Sequence, residues 1–131
     1  MNPFPAPLAI SAIGQIAIPA TLMTRAQRFY RDVLGLHFLF DDKVKLAFFD
    51  CDGVRLMIDA RGGSARQAAS IIYFRVADID AAFLRLAQHD TRIVSQPHLV
   101  ARLPDHELWI GFFQDSEGNT MALMEERRPT A

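Results

Sequence analysis

A chain of 131 residues, half of them hydrophobic, is long enough for one folded domain with its own core. Lysine and arginine total 14 against 15 aspartates and glutamates, and a net charge of −1 argues against disorder and against nucleic-acid binding by bulk electrostatics. The single cysteine, Cys51, excludes an internal disulfide and a thiolate metal cluster, and no apolar run approaches the roughly 20 residues of a membrane span.

Met1 to Pro7 is punctuated by three prolines and reads as an extended arm. It lacks the basic and apolar regions of a secretion signal, so the expected location is the cytoplasm. Ile13 to Ala20 alternates as a strand. Thr21 is placed to cap a helix running to about Leu34, with Met23, Ala26, Phe29, Tyr30, Val33 and Leu34 as its apolar stripe and Gly35 as its stop. His37 to Phe40 and Val44 to Phe49 read as strands around an Asp41-Asp42-Lys43 turn. Asp52-Gly53 is a two-residue hairpin signal leading into a strand from Val54 to Asp59. On that strand Val54, Leu56 and Ile58 share one face, and Arg55, Met57 and Asp59 share the other.

Arg61 to Ala69 is glycine-containing and reads as a linker, after which the pattern restarts. Ser70 to Val76 reads as a strand. Asp78 is placed to cap a helix that carries Ile79, Ala82, Phe83 and Leu86 on one stripe and ends near His89-Asp90. Arg92 to Ser95 reads as a strand that Pro97 interrupts. His98 to Leu103 and Glu107 to Phe113 flank a turn at Pro104-Asp105-His106, and Thr120 to Glu126 closes the pattern. The last turn spans Asp115 to Asn119. Asp115 and Asn119 are suited to bond local backbone there, and Gly118 supplies a positive φ. Gln15, Met23 and Ala26 align with Ile71, Ile79 and Ala82 at one constant offset, a repeat of hydrophobic pattern with little identity. The fold class expected is therefore α+β: one domain of two βαβββ units, at about 11–60 and 70–126, whose curved mixed sheets form a cup.

Two stretches carry a resemblance: Arg28-Phe29-Tyr30-Arg31-Asp32-Val33-Leu34-Gly35-Leu36 in the first unit, and the closing hairpin around Asp115-Ser116-Glu117-Gly118-Asn119 in the second. Together with the paired units, they resemble the vicinal oxygen chelate superfamily of glyoxalases, bleomycin-resistance proteins and extradiol dioxygenases. The resemblance implies a cup that holds a small organic molecule, and a homodimer in which subunits complete or widen it. In the family's metalloenzymes a divalent ion in the cup chelates two substrate oxygens. The resemblance places its ligands here at Gln15, Met57, Ile71 and Ala122. Of these only Gln15 suits a hard or borderline ion, and a thioether at Met57 suits soft metals. The neighbours Leu56, Ile58, Ile72, Met121 and Leu123 do not ligate either, so the expectation is a cup without a metal cofactor.

Other residues offer chemistry. Gln15, Arg55, Met57, Asp59, Ile71, Tyr73, Trp109 and Ala122 are the expected ligand-pocket residues, with Arg55 either pairing with Asp59 or anchoring an anion. His98, His106 and Glu107 are the acid–base candidates, or else the polar end of a hairpin. Of Phe48, Phe49, Phe112, Phe113 and Trp109, most are expected in the core, with one or two flooring the cup. Cys51 sits between acids that disfavour its thiolate. These features fit a metal-independent binding protein, with a metal-dependent or acid–base lyase or isomerase of the glyoxalase I type as the alternative.

Overall fold

A computed structural model describes residues 7–62 and 70–129. The linker expected over Arg61 to Ala69 and the arm expected over Met1 to Pro7 fall for the most part outside these residues. The first unit comprises β1 (Gln15–Pro19), α1 (Met23–Arg28) running directly into a π-helical segment (Phe29–Val33), β2 (His37–Asp41), β3 (Leu46–Cys51) and β4 (Val54–Asp59). The second comprises β5 (Tyr73–Arg75), α2 (Ile79–Gln88), β6 (Arg92–Arg102), β7 (Glu107–Gln114) and β8 (Thr120–Arg127). Each forms a four-stranded mixed sheet, in the orders β1-β4-β3-β2 and β5-β8-β7-β6, with β1/β4 and β5/β8 the parallel pairs. No helix among the described residues is long and apolar enough to cross a membrane.

Local chemistry sets the element ends. Gly35 takes a φ of +73° after the π-helical segment, and Asp52 and Gly53 both take positive φ in the two-residue turn between β3 and β4. Asp42 Oδ1 accepts from the N–H groups of Val44, Lys45 and Leu46 and so fixes the β2–β3 turn. Asp78 caps α2 by accepting from the Ala81 N–H, as its position predicts. The offset between units also holds at the helices, where Met23 opens α1 and Ile79 opens α2.

Four expectations need correction. Thr21 does not cap α1: the N-cap residue is Leu22, without a side-chain cap, and the exposed N–H groups of Thr21 and Leu22 go to Glu117 of the other unit instead. The strand expected over Ser70 to Val76 is ladder-paired only at Tyr73–Arg75. Pro97 does not divide two strands. β6 runs through it, because β6 is an edge strand and its register with β7 shifts between Ser95 and His98, where a missing N–H breaks no ladder bond. Asn119 does not serve local backbone alone; its Nδ2 reaches the Pro19 carbonyl at 2.8 Å.

The π-helical segment explains how two consecutive aromatics both reach the core. The Leu34 N–H bonds the Phe29 carbonyl, five residues back, and the wider turn sets both Phe29 and Tyr30 inward. They meet Phe49 of their own unit and Phe113 of the other. Across the core, α2 lies so close to β7 that a Cβ at Gly111 would stand 2.5 Å from the Phe83 ring and 3.1 Å from the Pro97 nitrogen. The shared core therefore joins the helix-covered faces of the two sheets. Phe49, Leu56 and Ile58 come from one sheet, and Phe113, Met121 and Leu123 from the other.

Candidate functional site

Alternation along a strand puts the remaining side chains on the open face of each sheet. On sheet one the register lines up Gln15, Arg55, Asp50 and His37 in one row and Ala17, Met57, Phe48 and Phe40 in the next. These side chains touch. The Gln15 carbonyl oxygen accepts from Arg55 Nε at 2.7 Å, and its amide nitrogen approaches Met57 Sδ at 3.6 Å. The Arg55 guanidinium stands 5.5 Å above the centre of the Phe48 ring, and Phe48 stacks on Phe40 at 4.5 Å. Among the described residues no carboxylate lies within ion-pair distance of Arg55. Asp59 does not pair with Arg55, as one reading of the sequence had it: the two stand four residues apart along β4, about 13 Å, and Arg61 binds both Asp59 oxygens. That hydrogen bond from Arg61 lowers the Asp59 pKa.

Phe40 is the member of this shelf that the sequence does not reveal. Strict alternation would set it beside Phe38. A register shift between Phe38 and Phe40 separates them, so Phe38 packs on Phe49 in the core while Phe40, half exposed, stacks on the open face. The aromatic expectation otherwise holds, with Phe49 and Phe113 in the core and Phe48 and Phe112 opposite.

On sheet two, Tyr73, Ala122, Phe112 and Ser95 form one row of the open face. The Tyr73 and Phe112 rings meet edge to face, 5.8 Å apart, across Ala122, which has no exposed surface. A methyl group fits beneath that ring pair, whereas a carboxylate side chain would part it. Ile71 precedes β5 and is exposed. Gln15 and Met57 are thus together on sheet one, and Ile71 and Ala122 lie in the other unit. Among the described residues there is no cluster of three or more His, Cys, Asp and Glu side chains placed to hold a metal ion. The donor set expected from the family does not fit a divalent ion: an amide and a thioether on one sheet, two aliphatic groups on the other.

His98, His106 and Glu107 do not come together. His98 pairs with Ile110 on the open face of sheet two, and its Nδ1 lies 3.1 Å from the Gln96 carbonyl. His106 sits in the β6–β7 turn with its Nδ1 2.8 Å from Asp105. Arg128 first, then His106, lower the Asp105 pKa to about 2. Glu107 accepts from the Trp109 indole on the helix-covered face, and Trp109 lies under the Arg127 guanidinium at 4.5 Å. Trp109 therefore stands on the side of sheet two away from Ala122. Sequence spacing placed these groups on one hairpin, and the pleat of the sheet divides them.

The two units are clasped at the closing turn. The Glu117 carboxylate, with no exposed side-chain surface, accepts from the Thr21 and Leu22 N–H groups and from the Arg25 guanidinium at 2.7 Å. Burial works to raise its pKa, but the bonds from Arg25, Leu22, Thr21 and Ser116 outweigh it and hold the value at about 2. Beside it, Asp115 accepts from the Tyr30 hydroxyl at 2.6 Å. Burial, and then Asp115, raise the Tyr30 pKa well above its ordinary value. This cluster holds the geometry of the site rather than lining it.

Comparison with known proteins adds an independent line. The family model described as Glyoxalase/Bleomycin resistance protein/Dioxygenase superfamily matches residues 12–123. A lactoylglutathione lyase from Agrobacterium tumefaciens superposes with a TM-score of 0.71 at 24% identity, covering 88% of this chain and 94% of that one. A putative glyoxalase family protein from Bacillus anthracis gives 0.74 at 18% identity, with coverage of 93% and 100%. TnmS3, an antibiotic binding protein from Streptomyces sp. CB03234, gives 0.70 at 21% identity, with coverage of 91% and 98%. No curated protein matched.

Proposed function

Because the chain belongs to the glyoxalase/bleomycin resistance protein/dioxygenase superfamily, we propose that it binds a small, flat organic anion on the open face of sheet one without a metal ion. The observation that carries this reading is Arg55. Gln15 orients its guanidinium over the Phe48 ring, and among the described residues no acid lies within ion-pair distance of it. A carboxylate or enolate oxygen would meet the guanidinium, and the attached ring would lie on the Phe40–Phe48 shelf. The reading also fits the fate of the family's metal positions, where Ala122 is buried beneath the Tyr73–Phe112 pair.

Similarity to both a lyase and an antibiotic binding protein leaves fold alone as common ground. The choice of binding over catalysis rests on the chain's own residues, since the acid–base candidates are dispersed. The same proposal takes the working form to be a cytoplasmic homodimer in which open faces from two chains enclose the ligand.

The test is calorimetric titration of the full chain with aromatic carboxylates and their neutral amides, with and without a chelator. Carboxylates should bind more tightly than amides, the chelator should change nothing, and Arg55→Ala should weaken binding about tenfold or more. Binding that survives Arg55→Ala, or that needs a divalent ion, would overturn the proposal. So would chelator-sensitive isomerisation of a hemithioacetal.

A further inference from the structure

Arg55 stands in the middle of a row on the open face of sheet one. Gln15 of β1 is level with it on one side and Asp50 of β3 on the other. Only one of these side chains holds it. Gln15 takes Nε at 2.7 Å, and the guanidinium lies over the Phe48 ring. Asp50 turns instead to its own hairpin, where its Oδ1 accepts from the Gly53 N–H at 3.2 Å. Residues directly opposite on antiparallel strands have Cβ atoms about 5 Å apart. An acid and a cation are thus held side by side on this face without an ion pair between them. His37, next in the row, does not pair with Asp50 either. Among the described residues no cation lies within ion-pair distance of Asp50, which is half-buried.

Such a row discriminates between ligands. A plain carboxylate on Arg55 has the Asp50 carboxylate beside it, and like charges at neighbouring positions repel. A carboxylate with an ammonium group on the adjacent carbon turns the same neighbour into a partner, because the carboxylate meets Arg55 while the ammonium meets Asp50. The aromatic shelf bears on the rest of the molecule. Phe48 and Phe40 lie in the next row, and rows on one face are two residues, about 7 Å, apart. A ring set one methylene away from the charged carbon suits that step. Charge and shape together are complementary to a zwitterion with an aromatic side chain.

We infer that the open face of sheet one takes an aromatic α-amino acid, and that Asp50 is the residue that reads its ammonium group. This assignment rests on Arg55 as the carboxylate anchor, and it makes the bound anion one end of a zwitterion. Gln15 and Phe48 hold the guanidinium in place, Asp50 selects for the amine, and the ring lies on the Phe40–Phe48 shelf.

The experiment is calorimetric titration of the full chain with three molecules: phenylalanine, 3-phenylpropanoate, which lacks the amine, and phenethylamine, which lacks the carboxylate. Phenylalanine should bind at least about tenfold more tightly than either of the others. Asp50→Asn keeps an oxygen for the Gly53 N–H and removes the charge. It should therefore bring phenylalanine down to the affinity of 3-phenylpropanoate, with circular dichroism confirming the fold. Equal binding of phenylalanine and 3-phenylpropanoate by the wild-type chain would overturn the inference without recourse to any variant. So would a preference for phenylalanine that persists in Asp50→Asn, or no binding of phenylalanine by a chain that binds other aromatic carboxylates. Failure of the Arg55 reading has a different signature, since the aromatic acids would then bind Arg55→Ala as well as wild type.

Discussion

At the scale of single residues, Glu117 links the two halves of the chain. One carboxylate meets the first backbone N–H groups ahead of α1 and the Arg25 side chain, and water does not reach it. A buried acid held this way stabilises the fold only while ionised. Its folded pKa of about 2 lies below the ordinary 4.5. The stabilisation is therefore fully present above about pH 4.5 and lost as pH falls towards about 2. Glu117→Gln should reduce the unfolding free energy by about 2–3 kcal/mol near neutral pH. In urea denaturation the gap between wild type and variant should close across that acid window. A gap that stays constant down to the lower limit would show that the charge of Glu117 is not what holds the turn.

At the scale of elements, the decisive features are close approaches and register shifts. Gly111 lets α2 descend onto β7, and a methyl group there would strike the Phe83 ring and the backbone at Pro97. Gly111→Ala should cost about 1–3 kcal/mol in thermal or urea unfolding. Combining it with Phe83→Leu should recover part of that loss, as a positive coupling in a double-mutant cycle. Strictly additive losses would mean that strain in the strand, rather than the Phe83 contact, is the cause. The shift in β2 works on the same scale. One extra residue between two pairings sends Phe38 to the core and Phe40 to the shelf on the open face.

At the scale of the whole molecule, the helix-covered faces of both sheets share one core and the opposite faces carry the candidate site. Those open faces hold exposed aromatic surface at Phe40 and Tyr73, and β1 and β5 are edge strands. Association through these surfaces would cover them and pair the edges. Sedimentation velocity should find a dimer at micromolar concentration. A chain that stays monomeric there would remove the shared enclosure from the proposed function.

Much of this was legible in the residues. Hydrophobic period placed the strands and helices, Asp52-Gly53 and Asp78 marked a turn and a cap, and the constant offset revealed two units, because each of these depends on neighbours along the chain. That the four positions which the resemblance assigns to a metal, Gln15, Met57, Ile71 and Ala122, carry few ligating atoms is likewise a matter of residue identity. Contacts between distant residues decided the rest. Glu117 took the capping role expected of Thr21, a bulge moved Phe40, the pleat split His98 from Glu107 and Trp109, and Asp59 bound Arg61 rather than Arg55. The sequence determined which groups exist and their local periodicity. Packing determined which groups meet, because a register shift of one residue reverses a side chain's face and a buried carboxylate binds whichever donors the tertiary fold brings to it.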